Sequence, residues 1–284
     1  MKTIVGLGPI GFGVVKEFAK IGMKSNFICF DDQEHNVDNK LINFIKVPSY
    51  NTSEEYESNF PSIKKYIKKL KGELLFVVSG GSDISLSSLA ILEQLKNDFS
   101  ISVLYVKPEI DLLRDEDKAK ERLVYGVLQE YARSGLFEAI FLISSKSIDV
   151  HYGGIPILLY QDKINETIAS AYYIISNLQN SRPVFDVFHK IPIGARIATF
   201  GFFDKEMKEE RVFFDVDNVT DSVYYFGYSE ESLKNNSNTM NEIRSFIKER
   251  NEEEQSSRVS YGVYATSYEH NFVYCLKYTS IIQK

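Results

Sequence analysis

Two glycine-bearing turns stand where phosphate chemistry could be done. The first is Gly6-Leu7-Gly8-Pro9-Ile10-Gly11 and the second is Ser79-Gly80-Gly81-Ser82-Asp83. Glycine lets a backbone approach an anion closely, and a turn that opens a helix offers free N–H groups with a partial positive charge. Gly6, Gly8, Pro9, Ile10, Gly11, Gly80, Gly81 and Ser82 are therefore candidates for holding a phosphate ester. Asp83 complicates the second turn. At an effective dielectric near 20, two unit charges about 4 Å apart repel by roughly 4 kcal/mol. Either Asp83 helps to hold a Mg²⁺ ion against the phosphates, or it points away, or the turn binds anions poorly. The four histidines, His35, His151, His189 and His270, stand in no catalytic context and are expected to be structural or exposed.

The elements around these turns can be read from periodicity. Lys2 to Val5 is a short apolar strand, and Val14, Val15, Phe18, Ala19 and Ile21 mark a helix after the first turn. Asn26 to Phe30 is a second strand, ending at Asp31-Asp32. Leu74 to Val78 has the length and β-branching of a buried parallel strand, and Leu89, Leu92, Leu95 and Phe99 recur at helical spacing beyond the second turn. Strands at Ile101 to Val106 and Ala139 to Ser144 bracket a charged helix over about Glu116 to Ser134. The stretch 47–62 reads as a polar loop, and the lysine cluster 64–71 as the solvated face of an amphipathic helix. From Ile191 onward, aromatic and β-branched runs at 196–202, 222–228, 257–266 and 272–279 predict strands, with one helix within 230–249.

Two resemblances follow from these residues. Gly6, Gly8 and Gly11 fit the dinucleotide fingerprint of Rossmann proteins, with Asp31 at the place of the ribose-binding acid. The longer succession VVSGGSDIS, SVLYVKP and FLISSKS, followed by Asn165-Glu166 opening a long helix, resembles the tubulin and FtsZ superfamily in order and spacing. That resemblance implies an α/β fold: a Rossmann-like parallel-sheet nucleotide-binding domain over 1–163, a central helix and catalytic-loop region over 164–190, and a smaller α+β domain over 191–284. It implies GTP or GDP as ligand, with Asn165 against the guanine edge and Tyr160 stacking on the base. Glu109 or Asp111 would accept from the ribose hydroxyls, and Arg114 would take the arginine role of that loop. Asp186 matches one carboxylate of the catalytic loop that reaches the next subunit's nucleotide. The loop at 47–62 lacks the glycine that the family places near the terminal phosphate.

Composition bounds the alternatives. With 284 residues, 44% apolar, the chain can bury a full core. A net charge of −6 and a pI near 5.4 argue against an extended nucleic-acid surface. No run approaches the roughly 20 apolar residues of a membrane helix, and the start runs directly into a strand, so the expected location is the cytoplasm. Cys29 and Cys275 are expected to be reduced core residues. The leading reading is a cytoskeletal, GTP-binding protein that assembles head to tail into filaments with weak hydrolysis between subunits. A second reading keeps the fold without hydrolysis, as a structural or interaction protein, and a third is an NAD(P)-dependent Rossmann oxidoreductase.

Overall fold

The computed structural model describes residues 1–284, which form two compact units, Met1–Ser170 and Ala171–Lys284. The first is built from apolar runs long enough to be strands and too apolar to face water. In chain order it contains β1 (Lys2–Leu7), α1 (Gly8–Lys20), β2 (Ser25–Asp31), β3 (Ile42–Lys46), α2 (Ser53–Ser58), α3 (Lys64–Ile67) and β4 (Gly72–Ser79). A 3₁₀ turn (Asp83–Ser87) leads into α4 (Ser88–Leu95), then β5 (Phe99–Lys107), a second 3₁₀ turn (Ile110–Leu112), α5 (Asp115–Arg133), β6 (Ala139–Ser144) and α6 (Ser145–His151). Helix α7 (Tyr160–Gln179) begins in this unit and ends in the second.

The strands of the first unit pair in the order β3-β2-β1-β4-β5-β6, all parallel. Leu74 to Val78 and Val103 to Val106 are fully buried, as a sheet covered on both faces requires. The direction of winding reverses between β1 and β4, so the carboxyl ends of these two strands open a crevice at a topological switch point. Both glycine turns lie there.

Three local features depart from the sequence expectation. The 47–62 loop contains α2, closed by a capping box in which Thr52 Oγ1 accepts from the Glu55 amide while the Glu55 carboxylate accepts from the Thr52 amide, each at 3.3 Å. The lysine-rich helix is a single turn, and the chain leaves it toward Gly72 at φ +100°. The segment after the second glycine turn is a 3₁₀ turn, so α4 starts only at Ser88.

The second unit contains β7 (Phe185–Val187), β8 (Ile197–Asp204), β9 (Glu209–Val212), β10 (Asp221–Ser229), α8 (Glu230–Asn235), α9 (Thr239–Glu253), β11 (Arg258–Thr266) and β12 (Phe272–Thr279). Its strand order is β8-β12-β10-β11-β7, with β9 paired to β8. β10 and β11 are parallel, and the crossover between them carries both helices; the other pairings are antiparallel. The helix expected within 230–249 is therefore two helices, and α9 runs past the expected end to Glu253. Phe246 of α9 meets Phe203, Tyr224 and Phe226 edge-on at centroid distances of 4.9, 5.2 and 5.4 Å. Beneath these rings Lys277, buried, lies 2.8 Å from Glu210 and also contacts Glu254, and the Tyr224 hydroxyl is 3.0 Å from its Nζ. No helix of the molecule is long and apolar enough to cross a membrane.

Candidate functional site

The switch-point crevice holds a cavity of about 380 Å³, within the range that takes small ligands. Leu7, Pro9 and Ile10 line it from the β1–α1 turn and Ser79 to Ser82 from the end of β4. Pro108, Glu109, Leu112 and Leu113 contribute after β5, Ser145 from the start of α6, and Tyr160 and Gln161 from the first turn of α7. Gly81 has φ +90°, a conformation natural to glycine. A Cβ on Gly80 would collide with the hydroxyl of Tyr105, which is buried and donates to Glu121 Oε1 at 3.0 Å. Backbone and small hydroxyls thus form this wall of the cavity. The Tyr160 hydroxyl is buried, and burial together with the charges of Glu109 and Asp149 and a hydrogen bond with Glu109 pushes its pKa up to about 12.

A second cavity, of about 330 Å³, adjoins the first. Pro9, Gly81 and Ser82 line both, so it continues the first cavity past the second glycine turn. Its walls carry Asp31, Asp32, Asp83 and Asp117, with Arg114 as the cation among them. Each carboxylate has a partner from the chain itself. Asp31, fully buried at the end of β2, is 2.6 Å from His35 Nε2; burial raises its pKa and the His35 bond opposes that rise. Asp32 accepts from the hydroxyl of Tyr56 in α2. Asp83 is 2.7 Å from Lys120 Nζ, which also binds Glu116 at 2.9 Å. Arg114 grips Asp117 through two bonds, of 2.7 and 3.2 Å, and holds that carboxyl below its usual range.

The residues singled out in the sequence separate by role. Pro9, Ile10, Gly80, Gly81 and Ser82 line the first cavity, whereas Gly6 and Gly11 are packing glycines. A Cβ on Gly6 would stand 2.5 Å from the Gly11 carbonyl oxygen, and one on Gly11 2.7 Å from that of Val77. Gly8, at φ +72°, starts α1. Arg114 lies at the second cavity with Asp31 and Asp83. Asp111 is exposed and paired with Lys146 at 3.2 Å, while its neighbour Glu109 faces the first cavity. Asn165 is buried within α7 against Gly13 of α1 and accepts from Gln161 Nε2 at 3.0 Å. Gln161, not Asn165, reaches the cavity wall. Asp186 is exposed on β7 of the second unit, in register with Gly262.

Three residues escaped the sequence reading. Gln161 becomes visible once α7 is begun at Tyr160, because it then precedes Asn165 by one helical turn. Lys120 is signalled by the acidic residues three and four positions before it. Nothing local marks Tyr56 as the partner of Asp32.

As for Mg²⁺, no group of three or more histidine, cysteine or acidic residues is disposed to hold a metal ion, and Asp83 already has Lys120 as its counter-charge.

No protein-family model matches the sequence, and no curated protein matches it. Solved structures do match over nearly the whole chain. A GTPγS-form TubZ protofilament from Bacillus thuringiensis serovar israelensis aligns at TM-score 0.71 and 11% identity, covering 99% of this chain and 87% of that one. CetZ from Methanosaeta thermophila aligns at TM-score 0.70 and 13% identity, covering 99% and 86%. An empty FtsZ dimer from M. jannaschii gives 0.69 and 11%, covering 98% and 88%. The alignments extend through both units. The chain has the tubulin/FtsZ-like fold.

Proposed function

We propose that this chain binds a guanine nucleotide in the cavity at the β1–β4 switch point and assembles head to tail with copies of itself. The observation that carries the nucleotide reading is the cavity's construction: a wall of Gly80-Gly81-Ser82 backbone after β4, with Glu109 after β5 and Tyr160 and Gln161 of α7 lining the same cavity. Phosphates would lie on the glycine turn and at the first turn of α1, where backbone N–H groups are free. Glu109 would accept from a ribose hydroxyl and Tyr160 would meet the sugar or base. The Gln161 amide, held by Asn165, would present a donor and an acceptor to the base edge.

Assembly is supported by two exposed apolar segments. Ile157 and Leu158 are 88% and 93% exposed and directly precede the cavity residues Tyr160 and Gln161. Val184, Phe185, Val187, Phe188 and Ile193 are exposed around Asp186. Apolar surface of this kind marks interaction sites. A contact between two different patches on successive copies is heterologous and propagates as an open filament. In that contact the Asp186 carboxylate of one copy would approach the cavity of the next and act as a single acceptor for water, so hydrolysis would be slow.

The test is a thermal-melt series of the full chain with GTP, GDP, ATP and NAD⁺, followed by sedimentation. A ligand at about 100 times its Kd stabilises the folded state by roughly 2.7 kcal/mol. Guanine nucleotides are expected to raise Tm and ATP and NAD⁺ to leave it unchanged; a shift with NAD⁺ alone would overturn the reading. Leu158→Asp is expected to abolish sedimentation while leaving the nucleotide shift in place.

A further inference from the structure

The second cavity is built to discourage the very group that a triphosphate would add. If the glycine turn holds phosphates and the Tyr160 end holds the nucleoside, a lengthening phosphate chain leaves the first cavity past Gly81 and Ser82, the residues common to both. There it meets Asp32 and the half-exposed Asp83, with Asp117 mostly covered and Asp31 fully buried behind them. The cations present are engaged: Arg114 by Asp117, and Lys120 by Asp83, Glu116 and Asp117. The 47–62 segment, which has no glycine, brings no free glycine N–H groups to compensate. It is folded as α2 and tied down from both sides, since Tyr56 donates to Asp32 through its hydroxyl and accepts from Ser87 Oγ through its carbonyl at 2.7 Å.

We propose that the site takes a guanine nucleoside diphosphate in preference to the triphosphate, with Asp32 and Asp83 as the residues that set the preference. The inference rests on the guanine-nucleotide reading above. A third phosphate adds negative charge to a region where carboxylates outnumber cations, and at short range in a partly desolvated pocket such repulsion is not screened away. Asp32 and Asp83 each spend one oxygen on a bond within the chain, which leaves each carboxylate a single free oxygen to offer a divalent cation.

Titration calorimetry of the full chain with GDP and with GTP, each in EDTA and in excess Mg²⁺, tests this directly. GDP is expected to bind at least tenfold more tightly than GTP in EDTA, about 1.4 kcal/mol. Mg²⁺ is expected to narrow that gap without reversing it. Asp83→Asn, at a half-exposed side chain, and Asp32→Asn are each expected to raise GTP affinity several-fold more than GDP affinity. GTP binding as tightly as GDP in EDTA, a reversal of order by Mg²⁺, or variants that raise both affinities equally would overturn the preference while leaving guanine-nucleotide binding intact. Failure of either nucleotide to bind under any condition would overturn both readings together.

Discussion

The two units bury charge in opposite ways. In the second, Lys277 is enclosed with Glu210, Glu254 and the Tyr224 hydroxyl, and Ser222 and Ser257 complete the Glu254 carboxylate. Every member answers another, which is the condition under which a buried polar network fixes a structure. In the first, the carboxylates around the second cavity also have partners, but they outnumber the cations Arg114 and Lys120, and the Asp83 side chain stays half exposed. A closed network does structural service. An open one of similar composition acts on whatever enters the cavity.

The sharpest way to break the comparison is Lys277→Met. It strands two partly buried carboxylates and is expected to cost about 3 kcal/mol in urea unfolding, since an uncompensated, largely desolvated charge is the dominant penalty. A loss near zero would mean that the network is not closed. Acid should dismantle the same network more gently. Burial raises the Glu254 pKa, but Lys277 and the hydrogen bonds from Lys277, Ser222 and Tyr224 outweigh it and hold the group down to about 2. Its contribution is therefore complete above its ordinary value of 4.5 and is lost as pH falls from there toward 2, about 3 kcal/mol in total. Unfolding free energies measured across that window should fall with pH in the wild type and much less in Glu254→Gln. The smallest effect belongs to the open cluster. Tyr56→Phe removes one bond to a partly hydrated Asp32 and should cost about 1 kcal/mol while accelerating amide exchange across residues 53–58 of α2. Unchanged exchange would show that packing alone anchors this loop.

Much of the first unit was legible because its signals are local. Buried parallel strands declare themselves as apolar runs, and both glycine turns stand between a strand and a helix, where phosphate sites are found. The edge strand β3 and the three-residue β7 carry too few residues for a period, and pairing with a neighbour decides them. Helix α2 had a readable sign in Thr52-Ser53-Glu54-Glu55, a capping box that composition as a polar loop obscured. Within the site, the reach of Gln161 past Asn165 depends on where α7 begins, a boundary no residue type marks. The partnership of Asp83 with Lys120 and of Asp32 with Tyr56 joins residues far apart in sequence. The charge at Asp83 could be seen to be a problem for phosphate; its counter-ion could not.

The tethering of Tyr56 to Asp32 and Ser87 bears on time as well as on binding. A loop already anchored by its own chain would present one conformation whichever nucleotide lies beside it. Polymers of such subunits would not age in shape: at this loop a freshly added copy and an old one would be alike whatever slow hydrolysis had done to the nucleotide, and disassembly would have to be imposed from outside, by dilution or by another molecule.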